Sequence, residues 1–220
     1  KFPMPSSLEF LLRYHHQFKD EFTRKYVKNA LTKIAYGGIN DQVAGGFSRY
    51  AVDEKWHIPH FEKMLYDNAQ LVSLYSKAYL KEKNDLYKST VVETLNFIKE
   101  ELTASNGAFY SSLDADSRNS SGDREEGAYY AWKEQELNQL LKNDFSLFKD
   151  FYNINDFGSW EKNLFVLIRT QSKIDFAKEH KLTVSVLENK ISKWKKILKT
   201  ARNKRSKPNL DDKVLTSWNA

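Results

Sequence analysis

The residues best suited to chemistry gather in one stretch, from Gly37 to Asn68. It holds four of the eight glycines and two of the five histidines of the chain. Ordinary connections between helices are about 2–8 residues long, whereas this one is long and rich in aromatic and titratable groups. Long loops on rigid supports often carry function. We therefore predict a ligand site here, with a structural loop whose polar groups satisfy one another as the alternative.

His60 and Asp67 are the first candidates for catalysis. If Pro59 occupies the first turn of a helix, steps of three and four residues place His60, Met64 and Asp67 on one stripe. Histidine transfers protons near neutral pH, and we predict that Asp67 orients His60. The alternative is a buried histidine bonded to Asp67 or to a backbone carbonyl for packing.

Asp114 and Asp116 form a second acidic candidate. Side chains two residues apart in an extended segment point to the same side, and paired carboxylates in unequal environments can divide acid and base roles. The same residues could instead cap turns or bind arginine. As binding residues we predict Arg49, Asp53, Trp56, His57, Glu62, Tyr110 and Trp218, with Arg49 and Asp53 on hydroxyls and aromatic rings stacked on a sugar.

A metal site is not expected. His57, His60 and Glu62 differ from the helical two-histidine zinc motif, whose histidines lie four residues apart, and Pro59 separates them. The chain has no cysteine, which excludes disulfides, thiolate metal sites and thiol catalysis within it. We expect no cofactor, and a cytoplasmic location is compatible with this composition.

The length of the chain suits one domain, or two small ones. The 220 residues are 40% hydrophobic, enough for a core, and no run approaches the roughly 20 apolar residues that a membrane helix needs. No signal peptide is visible at the start. The first residue is not Met and the last ones look like a new helix, so we expect a piece of a longer protein.

The net charge of +6 is concentrated near the end of the sequence. Residues 178–213 contain 12 Lys and Arg against 4 Asp and Glu, so this segment carries +8 and the rest −2. A solvated helix face explains such a segment. Nucleic-acid binding through 190–207 is the least favoured alternative.

Helical periodicity covers most of the chain. The predicted helices span 6–18, 20–36, 59–83, 84–105, 134–141, 144–152, 172–180 and 183–204, and Asn106 and Gly107 end the fourth. Short strands are expected at 47–52, 56–58, 108–113, 128–132 and 163–168, with a polar loop at 114–126. A helical hairpin followed by glycine and an aromatic strand occurs twice, which is typical of stacked hairpins with loops gathered at one end. The fold class is therefore all-α with a few short strands.

Several runs resemble a known family. They are Gly45–Tyr50, Trp56–Ala69, Leu113–Ser117 and Asp211–Asn219, together with the opening Lys1–Pro5. They resemble the spermatogenesis-associated protein 20-like family, also called thioredoxin-domain-containing proteins, over essentially the whole chain.

The resemblance implies the region after an N-terminal thioredoxin-like domain. That region is similar to an (α/α)6 toroid of the six-hairpin glycosidase type, an architecture shared by N-acylglucosamine 2-epimerases. Residues 1–220 would then form a single incomplete toroid, without the thioredoxin-like domain and the second half of the toroid.

Two functions follow as hypotheses. The first is a carbohydrate-active toroid, epimerase-, isomerase- or glycosidase-like, that binds a sugar-like small molecule and uses His60, Asp67 and Asp114 or Asp116 in acid/base chemistry. The second is a non-catalytic helical scaffold that accompanies the thioredoxin-like redox domain of the same protein. No membrane partner is expected.

Overall fold

The computed structural model describes all residues from Lys1 to Ala220. The chain is mainly α-helical, which confirms the predicted class. The helices are α1 (Pro5–Phe18), α2 (Glu21–Tyr36), α3 (Leu65–Lys81), α4 (Asp85–Glu101), α5 (Glu134–Leu141), α6 (Phe145–Phe151), α7 (Lys173–Glu179), α8 (Val184–Arg202) and α9 (Thr216–Asn219). None of them combines the length and the apolar character that crossing a bilayer requires.

Seven short strands complete the fold. They are β1 (Lys63–Met64), β2 (Ser112–Leu113), β3 (Asp116–Arg118), β4 (Arg124–Glu126), β5 (Trp132–Lys133), β6 (Leu164–Phe165) and β7 (Leu210–Asp211). One sheet has the order β1-β2-β7, while β3 pairs with β4 and β5 pairs with β6. All pairs are antiparallel. The three-stranded sheet pairs segments that lie far apart in the sequence. It therefore brings the loops around β1, β2 and β7 together.

Side-chain caps fix several helix starts where the sequence indicates them. Asn84 accepts a hydrogen bond from the backbone N–H of Leu86 at the start of α4, and Thr183 accepts one from Val186 at the start of α8. Each cap satisfies one of the amides that a helix start leaves unpaired. Helix α1 begins at Pro5, one residue before the predicted start, and no side chain caps it.

Two main hydrophobic cores divide the chain. The hairpins α1–α2 and α3–α4 share the first core, in which Leu31, Leu71 and Tyr75 are almost fully buried. Helices α5 to α8 enclose the second around Phe148 and Trp194. The two cores lie side by side, and the loop after α2 contributes to both.

An asparagine after each helical hairpin makes the internal repeat visible. Asn68, in the first turn of α3, bonds both the N–H and the C=O of Phe47, at 2.7 and 3.0 Å. Asn219, in α9, bonds the N–H and C=O of Phe109 in the same way, at 2.7 and 3.1 Å. Each amide also donates to the carbonyl four residues before it. The predicted repeat is thus confirmed, and the asparagine fastens the turn after one hairpin to the next helix.

The predicted start of α3 at Pro59 is wrong. The helix begins at Leu65, because the preceding residues pair with the chain around Arg49 to Val52 instead. Pro59 bridges Ala51, and His60 donates its N–H to the carbonyl of Tyr50 at 2.9 Å. Phe61 even adopts a φ of 58°, which no helix allows.

Other predicted strands are shorter than expected. Residues 47–52 and 56–58 form only isolated bridges, residues 108–113 contain only β2, and residues 163–168 contain only β6. Residues 128–132 are mostly a turn that leads into β5. The polar segment 114–126, predicted to be a loop, instead forms the β3–β4 hairpin.

Candidate functional site

Residues 60–64 form an extended segment before α3, and their side chains point alternately to the interior and to the outside. Phe61, Lys63 and Leu65 are buried, whereas His60 and Glu62 remain partly exposed. This alternation is the strand period of two. The pairing that holds it includes a 2.9 Å bond from Val52 N to the Ile58 carbonyl. The outer side of this segment therefore presents its polar residues together with the first turn of α3.

Arg49, Glu62 and Asp67 converge on this outer side. The backbone N–H of Arg49 donates to the carbonyl of Glu62 at 2.8 Å, and the Arg49 guanidinium lies 3.6 Å from the Glu62 carboxylate. Oδ2 of Asp67 is buried without a hydrogen-bond partner. The charges of Arg49 and Glu62 both act on the Asp67 carboxyl, so these three predicted residues form one group.

The pKa of Asp67 is raised to about 6. Removal of the carboxyl from water is the largest cause, because burial disfavours the charged form. The charge of Glu62 adds to the rise, and the charge of Arg49 opposes it. A carboxyl with this pKa can both donate and accept a proton close to neutral pH.

Two aromatic rings meet beside the first turn of α3. Tyr66 and Trp218 meet edge to face, with ring centroids 4.9 Å apart. Trp218 precedes Asn219 as Asp67 precedes Asn68, so these two predicted residues occupy equivalent positions in the repeat. Burial, together with the charge of Asp67, raises the pKa of the Tyr66 hydroxyl.

His60 lies beside this group but does not pair with Asp67 as predicted. Its Nδ1 donates to the Glu126 carboxylate at 2.9 Å, and its ring stacks on Tyr50 with centroids 4.7 Å apart. The difference arises because His60 belongs to the extended segment and not to α3, so the helical spacing does not apply.

Asp114 and Asp116 lie on the neighbouring strands. The register pairs Lys63 with Leu113, so Asp114 follows directly on the strand beside Glu62. Its carboxylate accepts a 2.7 Å bond from Arg124, as in the arginine-binding alternative. Asp116 lies opposite Glu126 across the β3–β4 hairpin. Both aspartates thus border the outer side that carries His60.

Two other predicted binding residues, Asp53 and Trp56, have structural contacts of their own. Asp53 accepts backbone N–H bonds from three residues of its own turn, Lys55, His57 and Ile58, at 2.6–3.2 Å. That carboxylate is satisfied, so the structure gives it a turn-forming role and not the predicted hydroxyl-binding one. Trp56 is buried in the first core.

His57 and Tyr110 are also held by backbone contacts. Nε2 of His57 donates to the carbonyl of Gly158 at 3.1 Å, and burial lowers the pKa of this imidazole. Tyr110 is half-buried, and its N–H donates to the carbonyl of Leu102. The described bonds of these two residues connect them to Gly158 and Leu102, and not to Asp67.

A buried ionic cluster lies beneath the outer side. The Asp41 carboxylate accepts bonds from Lys63 at 3.0 Å and from Arg202 at 2.9 Å, and Lys63 also donates to the carbonyl of Gly45 at 2.9 Å. Burial opposes ionisation of Asp41, but the two cations outweigh it and hold its pKa below the ordinary value. Burial lowers the pKa of Lys63.

The sequence analysis missed Glu126, Tyr66 and the buried cluster. Tyr66 stands within the Trp56–Ala69 run, so its position next to Asp67 was a usable signal. Glu126 reaches His60 only because residues 116–126 fold into a hairpin. No group of three or more His, Asp or Glu side chains converges as metal ligands would.

The basic segment uses most of its charge within the protein. Eight of its cations pair with acidic residues. Lys213 pairs locally with Asp211, and the other seven reach further: Lys190 and Lys193 to Asp144, Lys195 to Glu93, Lys199 to Glu100, Arg202 to Asp41, Arg205 to Glu136 and Lys207 to Glu101. These contacts tie α8 and the following residues to other elements. The nucleic-acid alternative, already the least favoured, gains no support from this arrangement.

Sequence comparison places this helical-hairpin protein among known relatives. No protein-family model matches the chain. It is 33% identical over 244 residues to spermatogenesis-associated protein 20 of Homo sapiens, covering 100% of this chain and 31% of that protein. The Mus musculus protein of the same name is 32% identical with the same coverage. An uncharacterised protein of Caenorhabditis elegans is 33% identical over 99% of this chain and 33% of its own length.

These matches confirm the resemblance to the spermatogenesis-associated protein 20-like family. The chain is similar to spermatogenesis-associated protein 20 along the whole of its own length and spans about a third of the length of the proteins it matches.

Among solved structures, two glycoside hydrolases of family 76 match part of this chain. A mannosidase of Bacteroides thetaiotaomicron has a TM-score of 0.40 and 15% identity, covering 59% of this chain and 33% of that one. A family 76 enzyme from a bovine strain of the same species has a TM-score of 0.42 and 17% identity, covering 61% and 29%. At these values the likeness says nothing about activity.

Proposed function

We propose that this segment supplies the acid/base side of a carbohydrate-active domain, with Asp67 as the proton-transfer group. The observation that carries the proposal is the desolvated Asp67 carboxyl, whose pKa is raised to about 6 and whose Oδ2 has no hydrogen-bond partner. A perturbed carboxyl on an otherwise paired surface is a candidate for catalysis. This assignment moves the predicted proton-transfer role from His60 to Asp67.

The neighbours of Asp67 support a sugar-like ligand. Arg49 and Glu62 offer a donor and an acceptor for hydroxyl groups, and the Tyr66–Trp218 pair offers apolar ring surface. Sugars present hydroxyls at their edges and C–H groups on their faces, so such a mixture suits them. His60 with Glu126, and Asp114, border the same side and supply a further acid and base.

The internal repeat supports a larger ring of helical hairpins, in which the outer side of the extended segment before α3 would face the centre. Asn68 and Asn219 each fasten the turn after one hairpin to the next helix, and their neighbours Asp67 and Trp218 lie at equivalent points. We propose that residues 1–220 form a single incomplete toroid and that the Asp67 group lies in its polar lumen.

A second candidate is the non-catalytic scaffold, and one observation favours it. Helices α1 and α2 expose Phe10, Phe18 and Phe22 by 60–79%, more apolar surface than a finished exterior usually shows. A scaffold would use this surface to hold another part of the protein, such as the thioredoxin-like domain that the family resemblance implies.

Turnover tests separate the two candidates. We would incubate the full-length protein with 4-nitrophenyl glycosides, to follow hydrolysis, and with N-acylated and unmodified hexoses in D2O, to follow deuterium incorporation beside the carbonyl. Asp67→Asn should lower the rate by about 100-fold or more, since positioned acid/base groups contribute 10²–10⁴-fold. Asp150→Asn is the matched control, because Asp150 is exposed and distant in sequence.

The outcome is decisive in either direction. Full activity in the Asp67→Asn variant would contradict the acid/base assignment. Absence of turnover across the whole panel in the wild-type protein would favour the scaffold.

A further inference from the structure

A large cavity lies apart from the Asp67 group. Its volume is about 800 Å³, within the range of ligand pockets. It opens between the first residues of the chain, α1, α2, the turn at 54–57 and the segment 168–170. None of Arg49, His60, Glu62 or Asp67 lines it. The cavity is therefore a separate place where a molecule of drug or metabolite size would fit.

Aromatic rings form much of its wall. Tyr36, at the end of α2, Trp56, in the following turn, and Phe157 all line the cavity. Phe157 is half exposed, and the buried His57 ring lies parallel to it with centroids 6.3 Å apart. Flat rings in the wall of a cavity suit a ligand with a planar, apolar body.

The charged residues of the wall are almost all cationic. Lys1, Lys33, Lys55 and Arg169 line the cavity, with Glu54 as the single acidic residue. None of these four cations takes part in an ion pair with a carboxylate, in contrast to most cations of the basic segment. An excess of unpaired positive charge around a concave apolar surface attracts an anion.

Three of these cations lie over aromatic rings. The Arg169 guanidinium is 4.1 Å from the Tyr36 centroid, the Lys55 ammonium is 5.7 Å from that of Phe157, and the Lys1 ammonium is 4.8 Å from that of Trp56. Cation–π contacts hold such groups in place without neutralising them. Nε of Arg169 is buried without a hydrogen-bond partner, so its polar needs are met only in part.

We propose that this cavity binds a small organic anion that carries a phosphate or carboxylate on a planar apolar body. The cations attract the anionic group, and the aromatic wall holds the planar part. This site is independent of the acid/base chemistry proposed for Asp67, so either can fail alone.

Calorimetric titration of the full-length protein tests the proposal with four probes: phenyl phosphate, benzoate, benzyl alcohol and inorganic phosphate. Phenyl phosphate or benzoate should bind at least about tenfold more tightly than benzyl alcohol, because only the anions gain from the cations. Comparison of the two anions shows which head group the cavity prefers. Inorganic phosphate, without a planar body, should bind more weakly than phenyl phosphate.

Substitutions of residues that line the cavity test whether the anion binds there. The double change Lys33→Glu and Lys55→Glu should weaken binding of the preferred anion by about tenfold or more. Lys25→Glu is the matched control, because Lys25 is an exposed lysine of α2 that does not line the cavity. Phe157→Ala should weaken phenyl phosphate while leaving inorganic phosphate unchanged. Melting temperatures of the lysine variants should equal that of the wild type, since both side chains are exposed.

Three results would overturn the proposal. They are the absence of binding by either aromatic anion at millimolar concentration, equal binding of the neutral and charged probes, and equal losses in the cavity variant and in Lys25→Glu. A cavity filled by another part of the polypeptide would give the first result.

Discussion

At the scale of single residues, Asp67 and His60 differ in their surroundings. Asp67 is removed from water beside Arg49 and Glu62, whereas His60 is paired with the Glu126 carboxylate at 2.9 Å. The sequence run predicts that both residues matter but not which one is desolvated, because desolvation depends on contacts formed by the whole fold.

Asp67→Asn should increase stability at high pH. A folded-state pKa raised to about 6 means that the carboxyl favours the folded state below its unfolded pKa and that this contribution is lost as pH rises through about 6. Asparagine does not ionise, so the variant should gain about 1–2 kcal/mol over the wild type near pH 8, discounted for partial exposure. Near pH 4 the gain should almost vanish.

Urea denaturation at these two pH values measures the effect, with Asp150→Asn as the exposed control. A variant that is less stable than the wild type near pH 8 would show that the Asp67 carboxylate is stabilised by contacts and is not desolvated.

At the scale of elements, local signals predicted the helices well. Apolar spacing and caps such as Asn84 and Thr183 act within a few residues, so α4 and α8 were found close to their observed bounds. The start of α3 was misplaced because the partner of His60 lies at Tyr50, across a turn. Glu126 was missed for the same reason, since the β3–β4 hairpin that carries it depends on pairing between strands.

The asparagine clamp gives a prediction at this scale. Asn68 is fully buried, and its amide bonds Phe47 and Met64. Asn68→Ala leaves buried backbone groups of the glycine-rich turn unsatisfied, so it should cost about 2–4 kcal/mol. Chemical denaturation measures the loss.

Asn138→Ala is the matched control, because Asn138 lies on the exposed side of α5. If Asn68→Ala costs no more than this control, the clamp does not hold the two hairpins together.

At the scale of the whole molecule, the Asp41–Lys63–Arg202 cluster joins three distant parts. Asp41 follows α2, Lys63 is in β1, and Arg202 ends α8. The cluster thereby links the two cores, and sequence analysis could not find it because its members are separated by up to 161 residues.

Arg202→Met should destabilise the protein by about 3–5 kcal/mol, because breaking a buried ion pair leaves its partner without full compensation. Thermal and chemical denaturation measure the change. Lys204→Met is the matched control, since Lys204 is exposed. Equal stability of the two variants would mean that Asp41 finds enough compensation in Lys63 and nearby amides.

The exposed aromatic residues of α1 and α2 predict self-association of this segment in isolation. Phe22 is 79% exposed and Phe10 is 64% exposed, and contiguous apolar surface favours association in water. Sedimentation velocity should show concentration-dependent oligomers that Phe22→Glu reduces. A segment that remains monomeric at high concentration would count against an apolar surface that needs a neighbour.

The measurement that tests the central claim most directly is the titration of the Asp67 carboxyl carbon by ¹³C NMR. The account predicts a midpoint at about 6, an upward shift in Arg49→Ala because a cation is removed, and a downward shift in Glu62→Gln because an anion is removed. A midpoint near the ordinary aspartate value of about 3.9, unchanged in both variants, would show a hydrated carboxyl and contradict the assignment of Asp67 as the acid/base group.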